Sequence, residues 1–307
     1  MAQLDYKLLQ ALAMVVKEQS FERAAANLYI TQSAVSQRLK QLEQFLAQPV
    51  LIRSTPLKAT EVGQKLISHY YQVVQLEADI MPDVLPMNPS QPLTIHLATN
   101  ADSLATWLIP ALAPIIKDNL IEMNMLVADE HHTIEKLKSG EAFGAIGLND
   151  KPIKGCQVTR LGDMNYILVA SKEFQQRYFP NGINQDALRA APGVAFDQRD
   201  PMHVRFVRDN FGLEEGDYPL HSMRSSEAFV TLAKHGGAYC LVAELQIQKE
   251  LAAGELINLL PQYKLTETLY WNHWSLLKGV HQQISDAIIA AGQKELNWRP
   301  IELANLD

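Results

Sequence analysis

The side chains best suited to chemistry in this 307-residue chain are hydrogen-bonding groups laid along one helical face between Thr31 and Gln41. At 100° per residue Ser33, Ser36, Gln37, Lys40 and Gln41 fall together, with Gln32 at the N-terminal end and Arg38 beside them. On the opposite side Val35, Leu39, Leu42 and Leu46 recur at helical spacing, flanked by Phe45, and form the stripe to be buried. Donors and acceptors on a face free of large apolar groups are what base edges and phosphates require. A single solvated helix would carry the same residue types. The surrounding elements favour DNA.

Ser20 can cap a first helix whose Ala24, Ala25 and Leu28 share a face, the alanines being small enough for another helix to cross closely. Thr31 can cap the second. Residues 49–60 then read as a hairpin: Val50 and Ile52 flank a short strand, Thr55 and Pro56 turn the chain, and Arg53 and Lys58 carry charge on either side. Such a basic wing grips phosphate or the minor groove, although Arg53 could instead pair with Glu43 or Glu61 on the surface. From Thr60 to Met81 a stripe of Ile67, Tyr71, Val74, Ala78 and Met81, widened by Leu66, Tyr70, Val73 and Ile80, predicts a long helix. Pairing with a second copy would bury it and set two recognition helices on a roughly palindromic site; packing on its own winged head is the other solution. Residues 82–92, with four prolines, read as a hinge.

The run AAANLYITQSAVSQRLKQLEQFL followed by LIRSTPLKATEVG resembles the winged helix-turn-helix of LysR-type transcriptional regulators, with turn, recognition helix, wing and linker helix in order. Further on, NADSLATWLIPALAP, YFPNG, VAFD, SSEAFVTLA, KELAAGELINLLP and LYW resemble the basic-amino-acid-responsive branch of that family. The wing departs from the pattern: many family wings read Arg-Thr-Gly-Arg-Gly, whereas this chain has Arg53-Ser54-Thr55-Pro56-Leu57-Lys58. The resemblance implies an α+β chain: a winged helix-turn-helix over 1–59, a dimerisation helix over 60–81, and a C-terminal α/β effector domain over 93–307. That domain would form two subdomains (93–164 with 271–307, and 165–270) around a cleft, as in periplasmic binding proteins. It also implies a cytoplasmic homodimer or homotetramer that binds double-stranded promoter DNA, works with RNA polymerase, needs no cofactor, and senses L-lysine or L-arginine to control amino-acid export or metabolism genes. Two alternatives stay open: a ligand-independent architectural or replication-origin-binding DNA protein, and a small-molecule binder with a vestigial DNA head.

Alternating strands and helices after the hinge independently point to an α/β unit. Strands are expected at 93–100, 121–129 and 165–171, with a helix over 103–118 bent at Pro110 and another over 132–140. Strand ends meeting helix starts offer N–H groups to carboxylates. Candidate effector contacts at such ends are Asn100, Asp102 and Ser103; Asp129 and Glu130; Asp197; and Ser225, Ser226 and Glu227. The acidic side chains suit an amine or guanidinium. Helix capping by Asn100, Ser103, Ser225 and Ser226, and dipole complementation by Asp102 and Glu227, are the competing readings. Trp107 reads as core.

Other chemistry is poorly served. His131 and His132 are adjacent instead of four apart, Cys156 and Cys240 show no metal-ligand spacing and read as buried reduced thiols, and there is no glycine-rich phosphate loop or coherent nucleophile and base. Neither an enzyme nor a metal site is expected. No apolar run approaches the roughly 18 residues of a membrane span. Residues 1–65 carry eight Lys and Arg against five Asp and Glu, a charge of +3, which leaves −10 for the remainder of a chain whose net charge is −7. A positive head on an acidic body fits DNA contact at one end. Affinity for duplex DNA should therefore fall linearly on a plot of log K against log salt; a flat plot would remove phosphate neutralisation from the account.

Overall fold

A computed structural model describes residues 4–84, 92–129, 132–196 and 201–296. The head begins with α1 (Tyr6–Glu18), α2 (Phe21–Asn27) and α3 (Gln32–Leu46). Each starts where a side-chain oxygen takes up an orphan N–H: Asp5 accepts from Lys7, Ser20 from Arg23 and Thr31 from Ala34. Leu9, Leu12 and Val15 of α1 pack with Ala24 and Ala25 of α2 and with Val35, Leu39 and Leu42 of α3 in one buried cluster. Leu46 lies at the edge of that cluster and Phe45 is half exposed, so the stripe of α3 is narrower than its sequence spacing suggests.

The wing is β1 (Leu51–Ile52) against β2 (Lys58–Ala59), antiparallel, with a cis Thr55–Pro56 bond in its turn. Gln19 Nε2 donates to the Leu57 carbonyl at 2.8 Å, and Glu43 Oε1 accepts from the Val50 N–H at 3.1 Å, so both ends of the hairpin are tied to the helices. Helix α4 (Glu61–Val84) follows. It extends to Val84, three residues past the end read from the apolar stripe and into the segment expected to be hinge; residues 85–91 lie outside the described residues. The stripe divides. Leu66, Ile67 and Tyr70 pack on the head, Tyr71 touches both the head and the effector domain, and Val74 and Ile80 remain exposed, as does Leu76 outside the stripe.

The remaining elements are β3 (Leu93–Thr99), α5 (Ala101–Ser103), a π-helical turn (Leu104–Leu108), α6 (Ile109–Asp118), β4 (Ile121–Val127), α7 (Thr133–Lys138), β5 (Gly144–Gly147), β6 (Cys156–Ala170), α8 (Lys172–Tyr178) and α9 (Gln185–Ala190). They continue with β7 (Gly193–Ala195), α10 (Pro201–Phe211), β8 (Leu220–Ser222), α11 (Ser226–Lys234), β9 (Tyr239–Ala243), a 3₁₀ turn (Glu244–Gln246), α12 (Gln248–Ala253), β10 (Ile257–Asn258), β11 (Leu265–Trp274) and α13 (Gly279–Glu295). The irregularity expected at Pro110 falls just before it, as the π turn: proline has no N–H to give the preceding turn, and a wider register accommodates its ring.

The sheet runs β4-β3-β5-β11-β6-β9-β7-β8, with β10 beside β6. Parallel pairs β3/β4, β3/β5, β7/β8 and β7/β9 make two α/β halves, joined through the antiparallel pair β6/β11. Strand β6 begins at Cys156, nine residues before its expected start, and runs through the division expected between 164 and 165. The β6/β11 register slips between Leu269 and Tyr270, opposite Gly162 and Arg160. Among the described residues no helix is long and apolar enough to cross a membrane.

Gly63 in the first turn of α4 has no room for a side chain, since a Cβ there would collide with the Val50 carbonyl oxygen of the wing. Alanine in place of glycine inside a helix normally stabilises by about 1 kcal/mol. Here Gly63→Ala should lower the urea midpoint instead; a rise would mean that wing and linker helix are not packed this closely.

Candidate functional site

Two faces hold the candidate residues. On the head, Gln32, Ser36, Gln37 and Lys40 project from α3, exposed and with no partner among the described residues, and Arg38 is half-buried at their edge. Thr31 and Ser33 are engaged locally, their hydroxyls 2.9 Å apart and Thr31 also accepting from Ala34. Gln41 is exposed on the same side. Burial of Val35, Leu39 and Leu42 beneath fixes this face outward. Arg53 and Lys58 are exposed on the wing, and the Arg53 guanidinium lies 5.9 Å from the centre of the Phe21 ring. Of the acids that could have held Arg53, Glu43 accepts from Val50 and Glu61 pairs with Lys65. Tyr29, which the sequence reading passed over, stands 95% exposed in the turn before α3 with a left-handed backbone, φ 54°.

In the effector domain a cleft opens between the two halves. Ala101 and Asp102 at the start of α5, with Ala128 and Asp129 just past β4, form one wall. Phe196 after β7, Met202 on α10 and Phe229 on α11 form the other, and Tyr166 of β6 with Leu241 of β9 completes it. Tyr166 donates its hydroxyl to Asp102 Oδ2 at 2.9 Å, linking the crossing strand to the lip of the cleft. Asp129 Oδ1 lies 3.2 Å from His132 Nδ1. Among the described residues the lining therefore holds two carboxylates and no Lys or Arg.

Beside the cleft sit buried polar groups that nothing among the described residues satisfies: Oδ1 and Nδ2 of Asn100, Oγ of Ser103 and Oγ of Ser226. Asn100 occupies the N-cap position of α5 without a side-chain capping bond, and Ser103 lies inside that helix, so neither acts as a cap. Ser225 does cap, accepting from Ala228 at 3.2 Å and donating to Glu227 at 2.8 Å, which leaves Glu227 on the exposed rim. Glu130 and Asp197 lie outside the described residues. The lining residues that sequence reading missed, Tyr166, Phe196, Met202, Phe229 and Leu241, are mostly apolar and come from separate elements. Behind Met202, His203 stacks on Tyr239 with ring centroids 5.6 Å apart, and burial pushes its imidazole down to about 4, so it stays neutral near pH 7 and supplies no cation. Trp107 is buried as expected of core.

Residues 6–64 match the bacterial regulatory helix-turn-helix protein family of LysR type, and residues 90–276 match the LysR substrate binding domain. The chain belongs to the LysR family. Among its relatives, the HTH-type transcriptional regulator ArgP of Aeromonas salmonicida is 54% identical over 296 residues, covering 96% of this chain and 99% of that protein. In three dimensions the LysR chain is similar to the crystal structure of ArgP from Mycobacterium tuberculosis, with a TM-score of 0.79 and 32% identity over 97% of this chain and 100% of that one. It is also similar to full-length LysG of Corynebacterium glutamicum with bound effector Arg, with a TM-score of 0.77 and 28% identity over 96% of this chain and 100% of that one. The exposed face of α3 thus lies within the LysR-family helix-turn-helix match, and the inter-half cleft lies within its substrate binding domain.

Among the described residues no cluster of three or more His, Cys, Asp or Glu could hold a metal ion. Cys240 is buried, as expected, but Cys156 is only partly so. Burial raises the thiol of Cys156 to about 11 and that of Cys240 to about 12. Because the thiolate is the nucleophile, both stay inert well below those values. In native protein at pH 8 a chromogenic disulfide reagent should therefore label neither within minutes, and both once urea is added; fast native labelling would show a reactive thiol instead.

Proposed function

We propose that this LysR-family protein binds promoter DNA through α3 and the wing, and alters its hold or the bend it imposes when L-arginine or L-lysine occupies the cleft. The observation that carries the effector class is the lining: the carboxylates of Asp102 and Asp129, with no Lys or Arg among the described lining residues, set against Phe196, Met202, Phe229 and Leu241. Two carboxylates suit an ammonium or guanidinium, and the apolar wall suits the methylene stem that leads to it. The α-carboxylate would go to the unsatisfied donors at Asn100 and Ser103 or to the N-terminus of α11 at Ser225 and Ser226. The solved relative holding arginine supports the same class. Glu130 and Asp197 stay in the proposed contact set on sequence position alone.

Two arrangements of the effector domain must bind the ligand with different affinity, otherwise occupancy cannot reach the DNA. The exposed stripe positions Val74 and Ile80 on α4 belong to the proposed dimer seam, placing two recognition helices on one site, with a tetramer built by further contacts between effector domains. Such a protein would act in the cytoplasm, beside RNA polymerase, on genes for amino-acid export or metabolism, and would catalyse no reaction.

Footprinting on genomic fragments selected by the purified protein tests this reading. A defined protected site that changes on adding L-arginine is expected, whereas broad protection blind to ligand would mean an architectural DNA protein. Gln37→Ala should weaken specific relative to nonspecific binding by about 1 to 3 kcal/mol. Asp129→Ala should leave the unliganded footprint intact and abolish its response. An unchanged specificity ratio, or an unchanged response, would remove the corresponding residue from its role.

A further inference from the structure

A second groove spans the same boundary between the halves and shares no lining residue with the effector cleft. It is bounded by the π turn and the start of α6, by the 3₁₀ turn with α12, and by the C-terminal end of α13. Two opposite hydrogen-bonding needs meet in it. Trp107 is 3% exposed, lines the groove, and its Nε1–H finds no acceptor among the described residues. Gln246 lines it from the other half, and its buried Oε1 finds no donor. Buried polar groups left in this state call for a partner, and one small molecule reaching both would supply an acceptor to the indole and a donor to the amide.

The rim refines the chemistry. Lys249 and Lys294 add positive charge and Glu250 and Glu295 negative charge, with Lys294 paired to Glu295 at 3.1 Å and Glu250 to Lys234 at 3.7 Å, so the rim carries both signs and suits an occupant that is itself a zwitterion. We propose that this groove is a second ligand site, taking the ammonium and carboxylate head group of a free α-amino acid. The α-carboxylate accepts from Trp107 within reach of the lysines, and the α-ammonium donates to Gln246 within reach of the glutamates. Unlike the cleft, the groove selects the head group and is indifferent to a side-chain cation. It is also placed to act on the cleft. Thr106, another lining residue, donates to the Asp102 carbonyl at 2.6 Å, so an occupant held by Trp107 bears on the helical turn that carries a cleft carboxylate.

Indole-¹⁵N-labelled full-length protein tests this directly, with the Trp107 resonance assigned by its loss in Trp107→Phe. The resonance should shift saturably with L-arginine and also with L-norleucine, which has no side-chain cation, and the arginine-induced shift should persist in Asp129→Ala. Gln246→Leu, at a partly exposed position and with folding checked by an unchanged thermal midpoint, should weaken the norleucine response by about tenfold, a single hydrogen bond's worth. No shift with either amino acid would overturn the proposal. So would a shift seen only with arginine and lost in Asp129→Ala, since that would be a relay from the cleft and would leave the effector reading standing.

Discussion

The antiparallel pairing of β6 with β11 is the constraint on which the effector domain depends. Each strand starts in one half and finishes in the other, so the halves are joined by hydrogen-bonded ladder as well as by loops. Such a joint holds the two walls of the cleft at a defined separation while permitting rotation where the ladder is weakest, and it is weakest at the slip between Leu269 and Tyr270. Gly162, at that slip, has φ +147° and no room for a Cβ beside the Leu296 carbonyl, so the backbone there needs glycine. Four residues on, Tyr166 reaches Asp102. The joint and the binding site are therefore parts of one strand.

Charge divides the labour between head and body. A modest positive excess in the first 65 residues suits a polyanion, and the acidic remainder discourages wrapping of nucleic acid around the effector domain. Within that acidic body the cleft concentrates two carboxylates against an apolar wall, which is complementary to a long cationic side chain and poorly suited to an anion. Helix α4 connects the two regions mechanically: Tyr71 packs on both cores, and Gln75 Nε2 lies 2.8 Å from His281 Nδ1 at the start of α13. A rotation of the effector halves has a packed route toward the head, in addition to the chain passing through residues 85–91.

The head was legible because its signals are local. Ser20 and Thr31 announce helix starts within three residues, and the stripe of Val35, Leu39 and Leu42 needs only helical spacing to read. The far end of α4 was not, since the prolines after Met81 look like hinge while the first of them, Pro82, is held inside the final helical turn. In the effector domain, Asp102 and Asp129 could be singled out because strand ends carry polar residues next to helix starts. Their neighbours could not: Tyr166, Met202 and Phe229 look like ordinary apolar positions, and only the closed sheet brings residues so far apart in sequence to one cleft. The start of β6 escaped for a related reason. Its first half, from Cys156 to Asp163, mixes charged and polar side chains because much of it is only partly covered. Caps and contacts could not be told apart at all from sequence: Ser225 caps its helix, whereas Asn100, with the same local signature, finds no partner for its amide among the described residues.

The central claim is that the carboxylates of the cleft select a cationic side chain. Calorimetric titration of the full-length protein with L-arginine, L-lysine and L-norleucine tests it most directly, because the three share a head group and differ in the side chain the cleft would hold. The account predicts a saturable phase with arginine and lysine that norleucine lacks and that disappears in Asp102→Ala. Identical isotherms for all three amino acids, or a phase with arginine that Asp102→Ala leaves untouched, would contradict it.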